Sequence, residues 1–232
     1  MEDCSYKIVF LGESGVGAKT SLISRLINNK FYECFESTIG ANYSSIIIQV
    51  NLGIIVLDLW DTPGQELYRS LCNNFIKGSH CIILGYDISR ARSLYDIKEY
   101  WYNKAKNIVG DDSLIYLVAN KIDLIENINE SEKEGINYAK EKDIKYFKVS
   151  CKTGEGVNEL FEDIANSLIM KFKRKIIDIN DKTLIKYLGV FRTEVKRLNI
   201  EKEKEIVKNE TEIKSLDIKE NIEIILNKYY NY

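Results

Sequence analysis

The sequence predicts an α/β domain, a six-stranded, mostly parallel sheet flanked by helices, followed by a charged C-terminal extension. Three observations predict it. Short apolar runs alternate with longer amphipathic segments from residue 6 to about residue 172, the order that builds a doubly wound sheet. Several runs, such as Cys81-Ile82-Ile83-Leu84-Gly85-Tyr86, carry too few polar residues for a sheet with one wet face, so helices must cover both faces. Between the first run and the first helical segment stands a glycine-rich turn, Gly12-Glu13-Ser14-Gly15-Val16-Gly17-Ala18-Lys19-Thr20.

Tyr6-Lys7-Ile8-Val9-Phe10-Leu11 is the first strand, and the turn after it leads into a helix over about 19–29. Apolar runs at 44–50 and 54–60 flank Asn51-Leu52-Gly53, which predicts an antiparallel hairpin as the exception to parallel order. A helix at 66–76, a strand at 81–87 and a long helix at 92–109 follow. Strands at 114–119 and 145–150 enclose a helix at 131–142, and a helix at 157–172 closes the domain. Sheets of this kind bind ligands beyond the carboxyl ends of their strands. The glycine turn, Asp61, Asn120 to Asp123 and Ser150 to Lys152 all fall at those ends.

The glycine turn has the chemistry of a phosphate cradle. Gly12, Gly15 and Gly17 let backbone N–H groups, with those of Ser14, Val16, Ala18 and Ser21, turn around phosphate oxygens at a helix N-terminus. Lys19 would bridge the β- and γ-phosphates and Thr20 would ligate Mg²⁺. The turn is one residue longer than the usual pattern, because Ala18 separates Gly17 from Lys19. Two outcomes are open: Ala18 bulges outward and the cradle survives, or its methyl points inward and displaces N–H donors. A plain strand-to-helix turn is the alternative reading of the segment alone.

Further motifs follow in order: Ser37-Thr38-Ile39-Gly40, Trp60-Asp61-Thr62-Pro63-Gly64-Gln65-Glu66, Asn120-Lys121-Ile122-Asp123 and Ser150-Cys151-Lys152. With them the chain resembles the Ras superfamily of small GTPases over about residues 5–172, and the Rab family within it. Tyr68-Arg69-Ser70-Leu71, Tyr86-Asp87-Ile88-Ser89 and Ser37 to Tyr43 are similar to Rab segments, with Tyr43 where Phe is common.

The resemblance implies the P-loop small GTPase fold over residues 1–173, with GTP and GDP as ligands and Mg²⁺ as cofactor. Asp123 would accept hydrogen bonds from the guanine N1–H and amino group, donors that adenine lacks. Asn120 would brace the pocket, the Lys121 stem and Phe31 would cover the two faces of the base, and the Cys151 N–H would reach the guanine carbonyl within Ser150-Cys151-Lys152. Thr38 and Asp61 would join Thr20 at Mg²⁺, the Gly64 N–H would bond the γ-phosphate, and Gln65 would orient the attacking water. Such sites turn over at about 10⁻⁴ to 10⁻³ s⁻¹ without an added arginine finger. An exchange factor, a GTPase-activating protein and effectors are therefore implied as partners, the effectors meeting residues of about 36–45 and 64–75.

Three departures stand out. The strand fixes Gly12 as the loop start and the nineteen residues from Lys19 to Thr38 match the family, so the extra residue lies within Glu13–Ala18. Pro63 stands where Ala is usual, removing an N–H and fixing φ, which is either a tolerated turn or a stiffened switch with slowed hydrolysis. No Cys follows Cys151, so no C-terminal prenylation is expected, and Glu2 excludes N-myristoylation.

A formal net charge of −2 and a pI near 5.7 give no nucleic-acid footprint, and no nucleic-acid partner is expected. Five cysteines without paired metal spacing read as reduced cytosolic thiols. No apolar stretch reaches about 18 residues, so no transmembrane helix is expected. The resemblance implies a cytoplasmic protein or one peripheral on endomembranes, with membrane association left open.

In the extension, residues 174–232, Leu184, Leu188, Phe191, Val195 and Leu198 fit one helical stripe, and Ile222, Ile225, Tyr229 and Tyr232 a second. It is read as a helix folded back on the domain, a partner-binding helix or a solvated extension. The basic cluster Lys171, Lys173, Arg174 and Lys175 is a solvated helix end or a contact for anionic lipid. The function expected is a slow GTPase switch in vesicle-mediated transport. The alternative is a GTP-binding scaffold that scarcely cycles and works through its extension, and Asn120, Lys121 and Asp123 disfavour an ATP-using enzyme.

Overall fold

The computed structural model describes residues 5–32, 41–50, 52–62, 72–125, 130–172 and 195–197. Its centre is β1 (Ser5–Leu11), with β3 (Gly53–Asp61) on one side and β4 (Cys81–Asp87) on the other, both parallel to it. β5 (Leu114–Asn120) and β6 (Lys145–Lys148) continue the sheet in parallel beyond β4. β2 (Asn42–Val50) pairs antiparallel with β3 from Asn42 opposite Asp61 to Val50 opposite Gly53, the hairpin that the short turn predicts.

A seventh strand, β7 (Val195–Arg197), pairs parallel with Ile47–Gln49 and gives the order β6-β5-β4-β1-β3-β2-β7. This corrects one expectation: Val195 stands in a strand and not on a helical stripe. The outer edge of β2 offers unpaired backbone groups, and a β-branched residue fits such an edge at least as well as a helix. Leu184, Leu188, Phe191, Leu198 and the second stripe lie outside the described residues.

Side chains alternate between two buried clusters, as the period of a strand requires. Ile8 and Phe10 of β1 and Ile83 of β4 face one cluster, with Leu22, Leu26, Phe161 and Ile164. Val9, Leu11, Ile82 and Leu84 face the other, with Ile97, Trp101 and Ala105. The first layer comprises α1 (Thr20–Asn28) and α6 (Val157–Phe172). The second comprises α2 (Cys72–Ile76), α3 (Ala91–Asp96), α4 (Tyr102–Val109) and α5 (Glu130–Glu141). In α6, Val157, Leu160, Phe161, Ile164 and Leu168 recur at helical spacing and are buried, each contributing about 1.5–3 kcal/mol from its removal from water.

The long helix predicted at 92–109 forms with one irregularity. Between α3 and α4, Ile97–Trp101 winds as a π-helical turn, and the Tyr102 N–H donates to the Ile97 carbonyl five residues back. Ile97 and Trp101, the first and last residues of this turn, are both buried in the core. No helix among the described residues is long and apolar enough to cross a membrane.

Candidate functional site

β1, β3, β4 and β5 end side by side, and the loops leaving them meet there. At the end of β1, Gly12 turns with φ +145° over the backbone of β4, where a side chain would strike the Gly85 carbonyl. Gly15 and Gly17 take φ of +76° and +69°, and a Cβ on Gly17 would lie 2.8 Å from Asn120 Nδ2. Ser14 and Gly15 are exposed, while Val16 is buried. Ala18 neither bulges into solvent nor stays open to the loop: it is wholly buried, its methyl turned toward the sheet against Gly85.

Lys19 is buried beneath this loop, its ammonium donating to the Gly12 carbonyl at 2.9 Å and the Glu13 carbonyl at 2.5 Å. Burial lowers its pKa to about 8, against the pull of the Asp61 carboxylate. A desolvated amine ringed by carbonyls gains from an anion, which suits a phosphate ligand. Thr20 begins α1 and donates through Oγ1 to Asp61 Oδ2 at 2.7 Å, joining the ends of two motifs 41 residues apart. A hydroxyl and a carboxylate are hard oxygen donors that fit Mg²⁺, which is held by one or two protein oxygens and substrate phosphates. Among the described residues no group of three His, Cys, Asp or Glu is placed to hold a metal ion. Ser21 is buried behind Thr20, and the Thr62 hydroxyl fixes the end of β3 to the Phe10 carbonyl at 2.6 Å.

The second half of the site rises from β5. Asn120, buried at its last position, donates through Nδ2 to the Val16 carbonyl at 3.1 Å and accepts the Cys151 N–H on Oδ1 at 3.0 Å. One amide therefore links the glycine loop to the turn after β6. Lys121, at φ +69°, reaches the Gly15 carbonyl at 3.1 Å and pairs with buried Asp87 at 2.7 Å. Asp123 sits exposed in the 3-10 turn Ile122–Leu124 and accepts the Ser150 hydroxyl at 2.5 Å. Ser150 in turn accepts the Thr153 N–H at 3.1 Å, while Lys152 is exposed. The Cys151 thiol lies 3.3 Å from the Gly17 carbonyl, and burial pushes its pKa up to about 12.

The structure thus brings together Gly12 through Ser21, Asp61, Asn120, Lys121, Asp123 and Ser150 through Lys152. Phe31 is partly buried and packs with Ile27 against the cluster under α1. Thr38, Pro63, Gly64 and Gln65 lie outside the described residues. Sequence reasoning missed Arg25, whose Nε and Nη2 donate to the Cys151 and Lys152 carbonyls at 2.7 and 2.5 Å. It also missed Asp87 as the partner of Lys121. The only signal for Arg25 was its place as the basic residue in the last turn of α1.

A strand, a glycine loop over a buried lysine and a helix, set at the carboxyl edge of a doubly wound sheet, define a P-loop α/β protein. The Ras family model matches residues 7–170. The chain is also 36% identical over 201 residues to GTP-binding protein YPT52 of Saccharomyces cerevisiae, covering 74% of this chain and 85% of that protein. This chain therefore belongs to the Ras family and is a Rab-like small GTPase.

Proposed function

We propose that the chain is a guanine-nucleotide switch that binds GDP and GTP with Mg²⁺, hydrolyses GTP slowly and serves vesicle-mediated transport. The observation that best supports a working cradle is that the lengthened loop keeps partners on both sides. Lys19 holds Gly12 and Glu13 from below, while Asn120 and Lys121 hold Val16 and Gly15 from the base side.

In this reading residues 1–173 are the GTPase domain and 174–232 a charged extension. Asp123 selects guanine, with Ser150 orienting its carboxylate and Asn120 holding the Cys151 turn. The loop N–H groups and Lys19 bind phosphate oxygens, while Thr20, Asp61 and Thr38 would hold Mg²⁺. The metal, when bound, supplies charge that offsets the phosphate oxygens. Gln65 orients the attacking water and Gly64 senses the γ-phosphate, so that loss of this phosphate releases both switch segments. An exchange factor, a GTPase-activating protein and effectors act on those segments, and the protein works in the cytoplasm, peripheral to endomembranes.

The test is to purify the protein without added nucleotide, denature it and separate what it released by chromatography. Near-stoichiometric GDP is expected. Retained GTP would support the rival scaffold that scarcely cycles, and an empty site would overturn the cradle.

A further inference from the structure

We propose that Gly85 in β4 is a positioning residue for the phosphate loop: it forms a notch that takes in the extra residue, Ala18, and so keeps the lengthened cradle in register. The inference rests on the proposed nucleotide-binding function and deepens it.

Gly85 pairs in register with Val118, in a strand that is buried throughout and otherwise built from large side chains or cysteine up to Asp87. Its φ lies outside the left-handed range, so its backbone does not require glycine. A bare glycine inside a buried strand weakens that strand and marks a place where another backbone comes close. The close backbone here is the loop itself. A Cβ at Gly85 would collide with the Ala18 methyl and lie 3.1 Å from the Ala18 carbonyl oxygen. Gly12 crosses the same spot from the other end of the loop, against the Gly85 carbonyl.

The loop therefore enters and leaves over one residue of β4. An added residue lengthens its path, and the slack must go somewhere. Rising toward the ligand, it would shift the N–H donors; sinking into the notch, it leaves Gly15, Val16 and Gly17 on their partners Lys121, Asn120 and Cys151. It also leaves Thr20 on Asp61. Ala18 and Gly85 are thus complementary, a methyl on one side and none on the other.

The experiment measures the rate at which a fluorescent GDP analogue leaves the full-length protein, together with thermal midpoints without nucleotide. Five proteins are compared: wild type, Gly85→Ala, Ala18→Val, the deletion of Ala18, and that deletion combined with Gly85→Ala. Gly85→Ala is expected to speed release by roughly tenfold or more, since displacements near 1 Å in such sites act on that scale. The combined variant is expected to return to within about threefold of wild type, a non-additive coupling. Ala18→Val, which overfills the notch from the loop side, is expected to speed release as Gly85→Ala does and serves if that variant fails to fold.

Unchanged release in both Gly85→Ala and Ala18→Val overturns the proposal, as does a combined variant no better than Gly85→Ala alone. If wild type binds no guanine nucleotide, the proposed function fails. The notch is then judged on the midpoints, where coupling supports it and additivity overturns it.

Discussion

Arg25 holds two consecutive carbonyls of the Cys151-Lys152 turn with one guanidinium, and Nη1 caps the end of α1 on the Asn29 carbonyl at 2.9 Å. The helix that starts at the phosphate side thereby fixes the turn expected at the base. Hydrogen bonds from a charged donor contribute about 1.5–3 kcal/mol. Arg25→Ala should therefore speed GDP release by roughly 10- to 100-fold, and Arg25→Lys should recover little because it lacks the fork. Stopped-flow release of a fluorescent GDP analogue checks this, and an unchanged rate would sink it.

Cys151 is a second case. Burial raises its pKa, with Arg25 opposing, so the neutral thiol is the form the fold favours. The stability this contributes is intact below about pH 9 and is lost as pH climbs toward about 12. At pH 8.5 iodoacetamide should label Cys151 at least about a hundredfold more slowly in the native protein than in urea. Peptide mass spectrometry gives the site-resolved rates, and equal rates in the two states would contradict the burial argument. That Lys19, Thr20, Asp61, Asn120, Lys121 and Asp123 would meet at one edge of the sheet was legible in the sequence, because each lies in a short motif just past an apolar run. Arg25 and Gly85 were not, since one acts on backbone carbonyls more than a hundred residues away and the other acts by lacking a side chain.

At the level of elements, close approach again decides composition. α5 lies against β4 and β6 through Gly135, where a methyl would meet the Tyr86 hydroxyl and lie 3.2 Å from the Tyr146 ring. Those two tyrosines bond to each other at 3.1 Å, and the Tyr86 hydroxyl reaches the Ser131 carbonyl at 3.4 Å. Helix propensity alone says that Gly135→Ala gains about 1 kcal/mol. Overpacking says it loses about 1–3 kcal/mol. The second effect should win, so urea unfolding should show a lower midpoint, and a raised midpoint would show that the contact yields. Strands and helices were legible from periodicity, with α6 at the expected bounds of 157–172. The π-helical turn at Ile97–Trp101 was not, because the buried residues Leu94, Ile97, Trp101, Ala105 and Val109 still fall three or four apart, as they would in an uninterrupted α-helix.

Across the whole molecule, the parallel order and the hairpin followed from which runs lacked polar residues and which were joined by a tight turn. The seventh strand did not, because pairing at a sheet edge depends on a partner far along the chain, which no local pattern reveals. Asn120 spans both halves of the site, contacting Val16 on one side and Cys151 on the other. On the proposed function, recognition of the two ends of a nucleotide would therefore be a chelate effect. Once the phosphates are seated, the base finds its turn already held at the right distance, so each end raises the effective concentration of the other. Two half-sites fixed on one rigid frame would then retain the whole nucleotide more tightly than either would retain its own fragment.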